Sequence, residues 1–180
     1  ETEGYDTAAV EMAKKSVTLS GEQCTIVIAA IRSGNYGMEW GGNLRVGNGE
    51  NHLGFDLGKE IILNYINEYF AAENIKGRVK LLIPGYSRGG SIANLVGAEL
   101  DDGSYVKSLK SADSIKNVSI AKNDIYVYTF EAPQCTKKSG TDDAIYGNII
   151  NLMNPNDYVP KFVMKDWGFT HYGTEYYLPS

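Results

Sequence analysis

Apolar residues fall along this chain in runs of two kinds. Four runs are short and rich in β-branched or aromatic residues: 25–31 (TIVIAAI), 79–84 (VKLLIP), 125–130 (IYVYTF) and 148–153 (NIINLM). Their length predicts strands, and the lack of polar alternation in the first suits a strand covered on both faces. Other stretches repeat at helical spacing. Over 55–74, Ile61, Ile62, Tyr65, Ile66, Tyr69 and Phe70 recur at steps of three and four, which predicts a helix. Ile92, Leu95, Val96 and Leu100 form a second stripe. Ala8, Ala9, Met12 and Ala13 predict a short helix over 5–17. Between these lie a Gly-rich loop, 33–51, a polar stretch, 101–123, with a short helix near 106–109, and an aromatic, turn-rich tail, 161–178. Strands alternating with helices imply an α/β fold, with a mostly parallel central sheet and helices on both faces. In such sheets ligands bind at the carboxyl ends of the strands, so the loops after Ile31, Pro84, Phe130 and Met153 should cluster.

Composition narrows the function classes. The chain has 180 residues, 43% hydrophobic and 22% charged, which is globular composition sufficient for one domain without a metal or disulfide staple. A net charge of −5 leaves no basic surplus for nucleic-acid phosphates. No apolar run approaches the roughly 20 residues of a membrane span. Cys24 and Cys135 make no metal-site spacing. They lie at opposite ends of the expected sheet and read as free thiols, which leaves the redox compartment open. No internal repeat or linker divides the chain, so one domain over 1–180 is expected, as it stands or as part of a longer chain. Localisation is open, with secretion slightly favoured over the cytoplasm; the start at Glu1 and not Met fits either a processed secreted protein or an excised piece of a longer chain.

The strand 79–84 runs directly into Gly85-Tyr86-Ser87-Arg88-Gly89, a G-x-S-x-G motif. A serine on a tight strand-to-helix turn needs glycines where a Cβ would crowd the turn. Its hydroxyl then projects above the sheet, beside backbone N–H groups at a helix N-terminus. The competing reading is a tight turn whose serine only caps the helix. A nucleophilic serine needs a base, and the histidines are His52 and His171. The order serine, acid, histidine excludes His52 and admits His171. Asp157, just after the strand 148–153, fits the acid; Asp142 and Asp143 precede that strand, and Asp166 is too close to His171. The competing readings are a packed structural His171 and an Asx-turn Asp157. On this assignment His171 takes the Ser87 proton and Asp157 orients the imidazole. The Arg88 backbone N–H is one oxyanion donor, and the loop Arg32-Ser33-Gly34-Asn35 supplies the other.

Taken together, these motifs resemble the class 3 lipase family of α/β-hydrolases over most of residues 25–178. The residues that carry the resemblance are Ile31-Arg32-Ser33-Gly34, His52-Leu53-Gly54-Phe55, Gly85 to Gly90, Thr129-Phe130-Glu131-Ala132-Pro133, Asn154 to Pro160 and His171-Tyr172-Gly173. The resemblance implies an α/β-hydrolase fold and a Ser87–Asp157–His171 triad, with Arg88 as one oxyanion donor, either Ser33 or Gly34 as the other, and His52 structural. It implies hydrolysis of small-molecule or lipid carboxylic esters through an acyl-enzyme, without metal or organic cofactor and with transient contact at a lipid interface. It places a lid over 35–51, around Met38 and Trp40; the other reading is an ordinary surface loop with Trp40 in the core. Arg88 and Glu131 depart from the family pattern, and an ion pair between them is expected. Two other functions stay open: a catalytically silent binding module on the same fold, and a thioesterase or peptidase using the same triad.

Overall fold

The computed structural model describes residues 8–33, 39–103, 118–158, 160 and 166–179, with Glu39 and Trp40 described by their backbone alone. Seven strands form one sheet: β1 (Ala8–Leu19), β2 (Glu22–Ser33), β3 (Gly77–Tyr86), β4 (Val118–Ser119), β5 (Ile125–Phe130), β6 (Ile149–Met153) and β7 (Thr174–Tyr177). Their order is β1-β2-β3-β5-β6-β7, with β4 beside the start of β3. Every pairing from β2 onward is parallel, and β1 alone runs antiparallel, against β2. Three α-helices are described: α1 (Glu39–Asn43), α2 (Leu53–Ala72) and α3 (Arg88–Asp101). None of the described helices is long and apolar enough to cross a membrane.

The parallel strands and the two long helices stand where the apolar periodicity placed them. The first segment does not. Residues 8–19 form a strand, because β2 offers a complete partner: the register runs without a break from Ala8 opposite Ser33 to Leu19 opposite Glu22. The turn between them, Ser20-Gly21, holds both residues at positive φ (52° and 85°), as a two-residue hairpin with the strands' own twist requires. A weak Ala/Met pattern yields to that pairing. β7 lies inside the tail read as irregular. The helix expected near 106–109 lies outside the described residues.

The core lies on one face of the sheet. Val27, Ala29 and Ile31 of β2, Val79, Leu81 and Ile83 of β3, Ile125 and Val127 of β5 and Ile149 of β6 are all buried. They pack in one cluster with Phe55, Ile62, Ile66 and Phe70 of α2 and Ile92, Leu95 and Val96 of α3. α3 lies against β2, β3, β5 and β6, and α2 against α3 and β1. On the opposite face, Ile28, Tyr126, Tyr128 and Phe130 are partly exposed.

Inside this core a polar knot joins α3, β5, β6 and the residues before β7. Asn94 Nδ2 donates to Asn151 Oδ1 (2.9 Å) and to the Tyr172 carbonyl (2.9 Å), and Asn94 Oδ1 accepts from the Tyr172 N–H (3.0 Å). Thr129 Oγ1 donates to Asn151 Oδ1 (2.7 Å), and Asn151 Nδ2 donates to the Tyr172 carbonyl (2.8 Å). A satisfied buried network is inexpensive, whereas one missing member leaves its partners desolvated and unpaired. Asn94→Leu should therefore cost about 3 kcal/mol in urea unfolding; a loss under about 1 kcal/mol would show that the knot holds nothing.

At the other end of α3, Asp101 is buried on the helix's last turn. Asn148 Nδ2 reaches Oδ1 (3.0 Å), and Oδ2 is buried without a partner among the described residues. Burial pushes this carboxyl up from 3.8 to about 6, despite the Asn148 hydrogen bond. Between those two values the folded state holds the proton more tightly than the unfolded chain, so stability falls as pH rises from 3.8 through about 6. Asp101→Asn removes that loss. The stability difference between the variant and the wild type should grow by on the order of 2–3 kcal/mol across the window, measured by urea unfolding at stepped pH; a flat difference refutes it.

Candidate active site

The expected clustering of strand ends is observed. β3 exits through Gly85 and Tyr86 into Ser87, whose backbone stands at φ 52°, ψ −127°, a conformation that costs a non-glycine residue energy. α3 begins at once with Arg88. The approach is so close that a Cβ at Gly85 would stand 2.4 Å from the Gly89 carbonyl oxygen, and one at Gly89 would stand 2.5 Å from the Ile31 carbonyl oxygen. The two glycines of the motif are thus sterically obligatory, and the second brings the end of β2 against the head of α3. The serine does not cap the helix: it makes no side-chain capping hydrogen bond, and its positive φ is not the extended conformation of an N-cap. Arg88 opens the first turn of α3, where backbone N–H groups lack intrahelical acceptors.

Neighbouring strand ends are stitched to this turn. The Ser87 N–H donates to the Phe130 carbonyl at the end of β5 (2.9 Å), and the Glu131 N–H donates to the Leu152 carbonyl on β6 (3.0 Å). Glu131 also has positive φ, 48°, and its Oε1 accepts from the Asn154 N–H (2.6 Å). Asn154 in turn accepts from Asp157, whose N–H reaches the Asn154 carbonyl (3.1 Å). Ser87 and the Asp157 turn therefore share one edge of the sheet, linked through Glu131. The ion pair expected between Arg88 and Glu131 gives way to other partners. The Arg88 guanidinium points to Asn43 Oδ1 (2.9 Å) and the Gly54 carbonyl (2.9 Å), and Glu131 supports the Asp157 turn.

His171 does not join Ser87 and Asp157 in this arrangement, and the hydrogen-bonded line expected from the sequence is not formed through it. The ring is buried, with Nδ1 against Glu175 Oε1 (2.7 Å) and Nε2 against the Ala132 carbonyl (2.9 Å). Each nitrogen has one hydrogen-bonding direction, so neither is left for a serine or an aspartate. Tyr177 Oη donates to the other oxygen of Glu175 (2.8 Å) and holds the carboxylate in place. His171 here clamps the start of β7 to the exit of β5. Glu175 was not legible as its partner, because nothing in the sequence pairs a carboxylate with a histidine four residues earlier outside a helix.

His52 is structural, as the resemblance implied. It is fully buried, stacked on Phe55 with ring centroids 4.0 Å apart, and its Nε2 meets the Asn43 carbonyl (3.1 Å). Nδ1 is buried without a partner among the described residues. Of the oxyanion residues, Ser33 ends β2, and Gly34 lies outside the described residues. So does Met38 of the expected lid. From Glu39 that segment forms α1, and the carbonyls of Arg45 and Val46 then accept from Gly54 (3.1 Å) and Leu53 (3.1 Å), which ties it to the start of α2. Cys24 and Cys135 are buried free thiols, as expected.

Comparison with solved structures decides the fold. The Rhizomucor miehei triacylglyceride lipase aligns with TM-score 0.58 at 15% identity, over 95% of this chain and 67% of its own. The lipase of Rhizopus microsporus var. chinensis aligns with TM-score 0.57 at 15% identity, over 85% of this chain and 53% of its own. A fungal lipase in complex with an inhibitor gives 0.63 at 16% identity, over 95% and 67%. This chain has the fold of the fungal class 3 lipases. It spans between about half and two thirds of the length of these lipases. No family model matches the sequence, and no curated protein matches it.

Within this lipase fold, burial and, secondarily, the neighbouring Arg88 charge lower the His52 imidazole from 6.5 to about 4, against the Asn43 hydrogen bond. Between those values the unfolded chain binds the proton that the folded protein refuses, so stability is lost as pH falls from 6.5 toward 4. The His52 ring protons should titrate by NMR near pH 4; a midpoint near 6.5 would mean that the ring is solvated.

Proposed function

We propose that this chain carries the nucleophile of a serine hydrolase that cleaves carboxylic esters, with lipid or other acyl esters as its substrate class. The observation that carries the reading is the Ser87 backbone, held at φ 52° between β3 and α3 with its side chain unused as a cap. Energy is stored at that turn, and its conformation leaves the hydroxyl out of helix capping. Ser87 attacks the acyl carbonyl, and the ester oxygen leaves with a proton delivered by the base. The Arg88 N–H and the loop that begins at Ser33 receive the oxyanion. Asp157, on the same edge, is the acid. His171 follows both in chain order; to act as the base of this triad, its ring must exchange the Ala132 carbonyl for the Ser87 hydroxyl and the Glu175 carboxylate for Asp157. Similarity to lipases, one of them described as having a serine protease triad at its catalytic centre, supports this chemistry.

A specific observation favours a second reading, a catalytically silent binding module. Both imidazoles of the chain are engaged away from Ser87. A fluorophosphonate probe separates the two. The hydrolase reading expects labelling of the wild type and none of Ser87→Ala; an unlabelled wild type makes the chain a binding module. Loss of labelling in a folded His171→Gln assigns the base to His171, whereas retained labelling leaves it a clamp. A series of p-nitrophenyl esters of rising chain length, beside a thioester and a peptide, then sets the acyl class.

A further inference from the structure

Two hydrogen bonds hold the His171 ring, and they are not alike. Nδ1 meets Glu175 Oε1 at 2.7 Å, the spacing of a charge-assisted bond, and Nε2 meets the Ala132 carbonyl at 2.9 Å. Glu175 is itself held, because its Oε2 accepts from Tyr177 Oη (2.8 Å). Glu175 and Tyr177 stand two residues apart on β7 and so share a face of that strand. The turn that brings the strand back to the ring needs a close approach: Gly173 stands at φ 81°, and a Cβ there would collide with the Ile149 carbonyl. The ring is buried, and its backbone is fixed on both sides. The Thr170 N–H donates to the Thr136 carbonyl (2.7 Å), and Tyr172 belongs to the Asn94–Asn151 knot. Only the side chain of His171 is left to move.

A histidine held by a carboxylate on Nδ1, with Nε2 presented elsewhere, is the base half of a serine triad. A carboxylate only accepts, so the Glu175 contact places a proton on Nδ1 and makes Nε2 the nitrogen that exchanges protons. The Ala132 carbonyl also only accepts, so it holds Nε2 only while that nitrogen is protonated. A ring ready to act as base carries a lone pair on Nε2 and has nothing to give the carbonyl. Base chemistry therefore dissolves the carbonyl contact and keeps the carboxylate contact. Ala132 also stands at the Ser87 turn. Its Cβ lies 2.8 Å from where a Cβ on Gly90 would stand, in the first turn of α3, and the Phe130 carbonyl, two residues earlier, accepts from the Ser87 N–H (2.9 Å).

We propose that Glu175 is the carboxylate that positions His171 as base, in the role that chain order gives to Asp157. The inference rests on the hydrolase reading above and changes one member of its triad. With Asp157 as the acid the ring must give up both of its partners; with Glu175 it gives up one. Nε2, once bare, takes the Ser87 proton as Oγ attacks the acyl carbonyl. Glu175 steadies the imidazolium, and Nε2 returns that proton to the leaving ester oxygen. Asp157 stays in its turn, with its N–H on the Asn154 carbonyl (3.1 Å).

Glu175→Gln keeps the shape and one acceptor but removes the charge that favours the imidazolium of the transition state, so its cost falls on kcat. For p-nitrophenyl esters, kcat and with it the fluorophosphonate labelling rate should fall by about 100- to 10,000-fold. KM should stay within about threefold. Glu175→Asp, which keeps the charge on a shorter arm, should recover part of the rate. Tyr177→Phe changes only a half-exposed ring and spares the fold; by releasing Oε2 it should lower kcat about 2- to 10-fold. Asp157→Asn, the change at the rival acid, should cost less than Glu175→Gln. A loss at Asp157→Asn equal to or above that at Glu175→Gln overturns the assignment and leaves the hydrolase reading standing. So does a loss confined to KM, or a kcat within about twofold of wild type in both Glu175→Gln and Tyr177→Phe. A wild type that neither labels nor turns over overturns the hydrolase reading and this proposal with it.

Discussion

One steric constraint governs the candidate site: the first turn of α3 abuts the ends of β2 and β3. Two peptide carbonyls, those of Gly89 and Ile31, occupy the space that side chains at Gly85 and Gly89 would need. With the helix pressed that close, the residue between strand and helix cannot turn within the extended or right-handed regions, and Ser87 is forced to positive φ. The same pressure aims the open N–H groups of the helix at the strand ends and brings Ala132 against Gly90, so that β5 and β6 exit beside the same turn. Conformation, electrostatics and the gathering of loops here share one cause.

Buried polar groups then secure what the close packing sets up. They divide the work by charge. The Asn94–Asn151–Tyr172 knot is neutral and complete, and it fixes α3 to the strands beneath it. Arg88 is charged and holds neutral oxygens, while its neighbour His52 is kept uncharged by burial and by that same cation. His171 bridges a carbonyl and a carboxylate at the last strand. Each imidazole thus serves the framework in the arrangement described.

Much of this was legible in the sequence, for identifiable reasons. Apolar runs gave away the parallel strands, because their core-facing positions are aliphatic and their outward positions are largely apolar or aromatic as well. The motif around Ser87 gave away its turn, because steric necessity leaves glycines as its trace. β1 was misread because its alanines and methionine suit a helix, while the deciding facts, a partner strand and a two-residue turn at Ser20-Gly21, are pairing facts. The partners of His171 and Arg88 could not be read at all. Glu175, Ala132, Asn43 and Gly54 are ordinary residues in their own segments and acquire meaning only when distant stretches meet.

The contrast between the hairpin and the rest of the sheet also bears on how the molecule assembles. β1 and β2 meet through a two-residue turn, so their pairing closes almost no loop and can arise within microseconds. Each parallel neighbour that follows has to bring back a stretch of chain containing a helix or a long excursion, and such closures are slow. Because the Ser87 turn draws its shape from β2, β3, β5 and β6 together, it matures only when the last of these has docked. A newly made chain therefore begins its architecture at one end of the sheet and completes the strained Ser87 turn last.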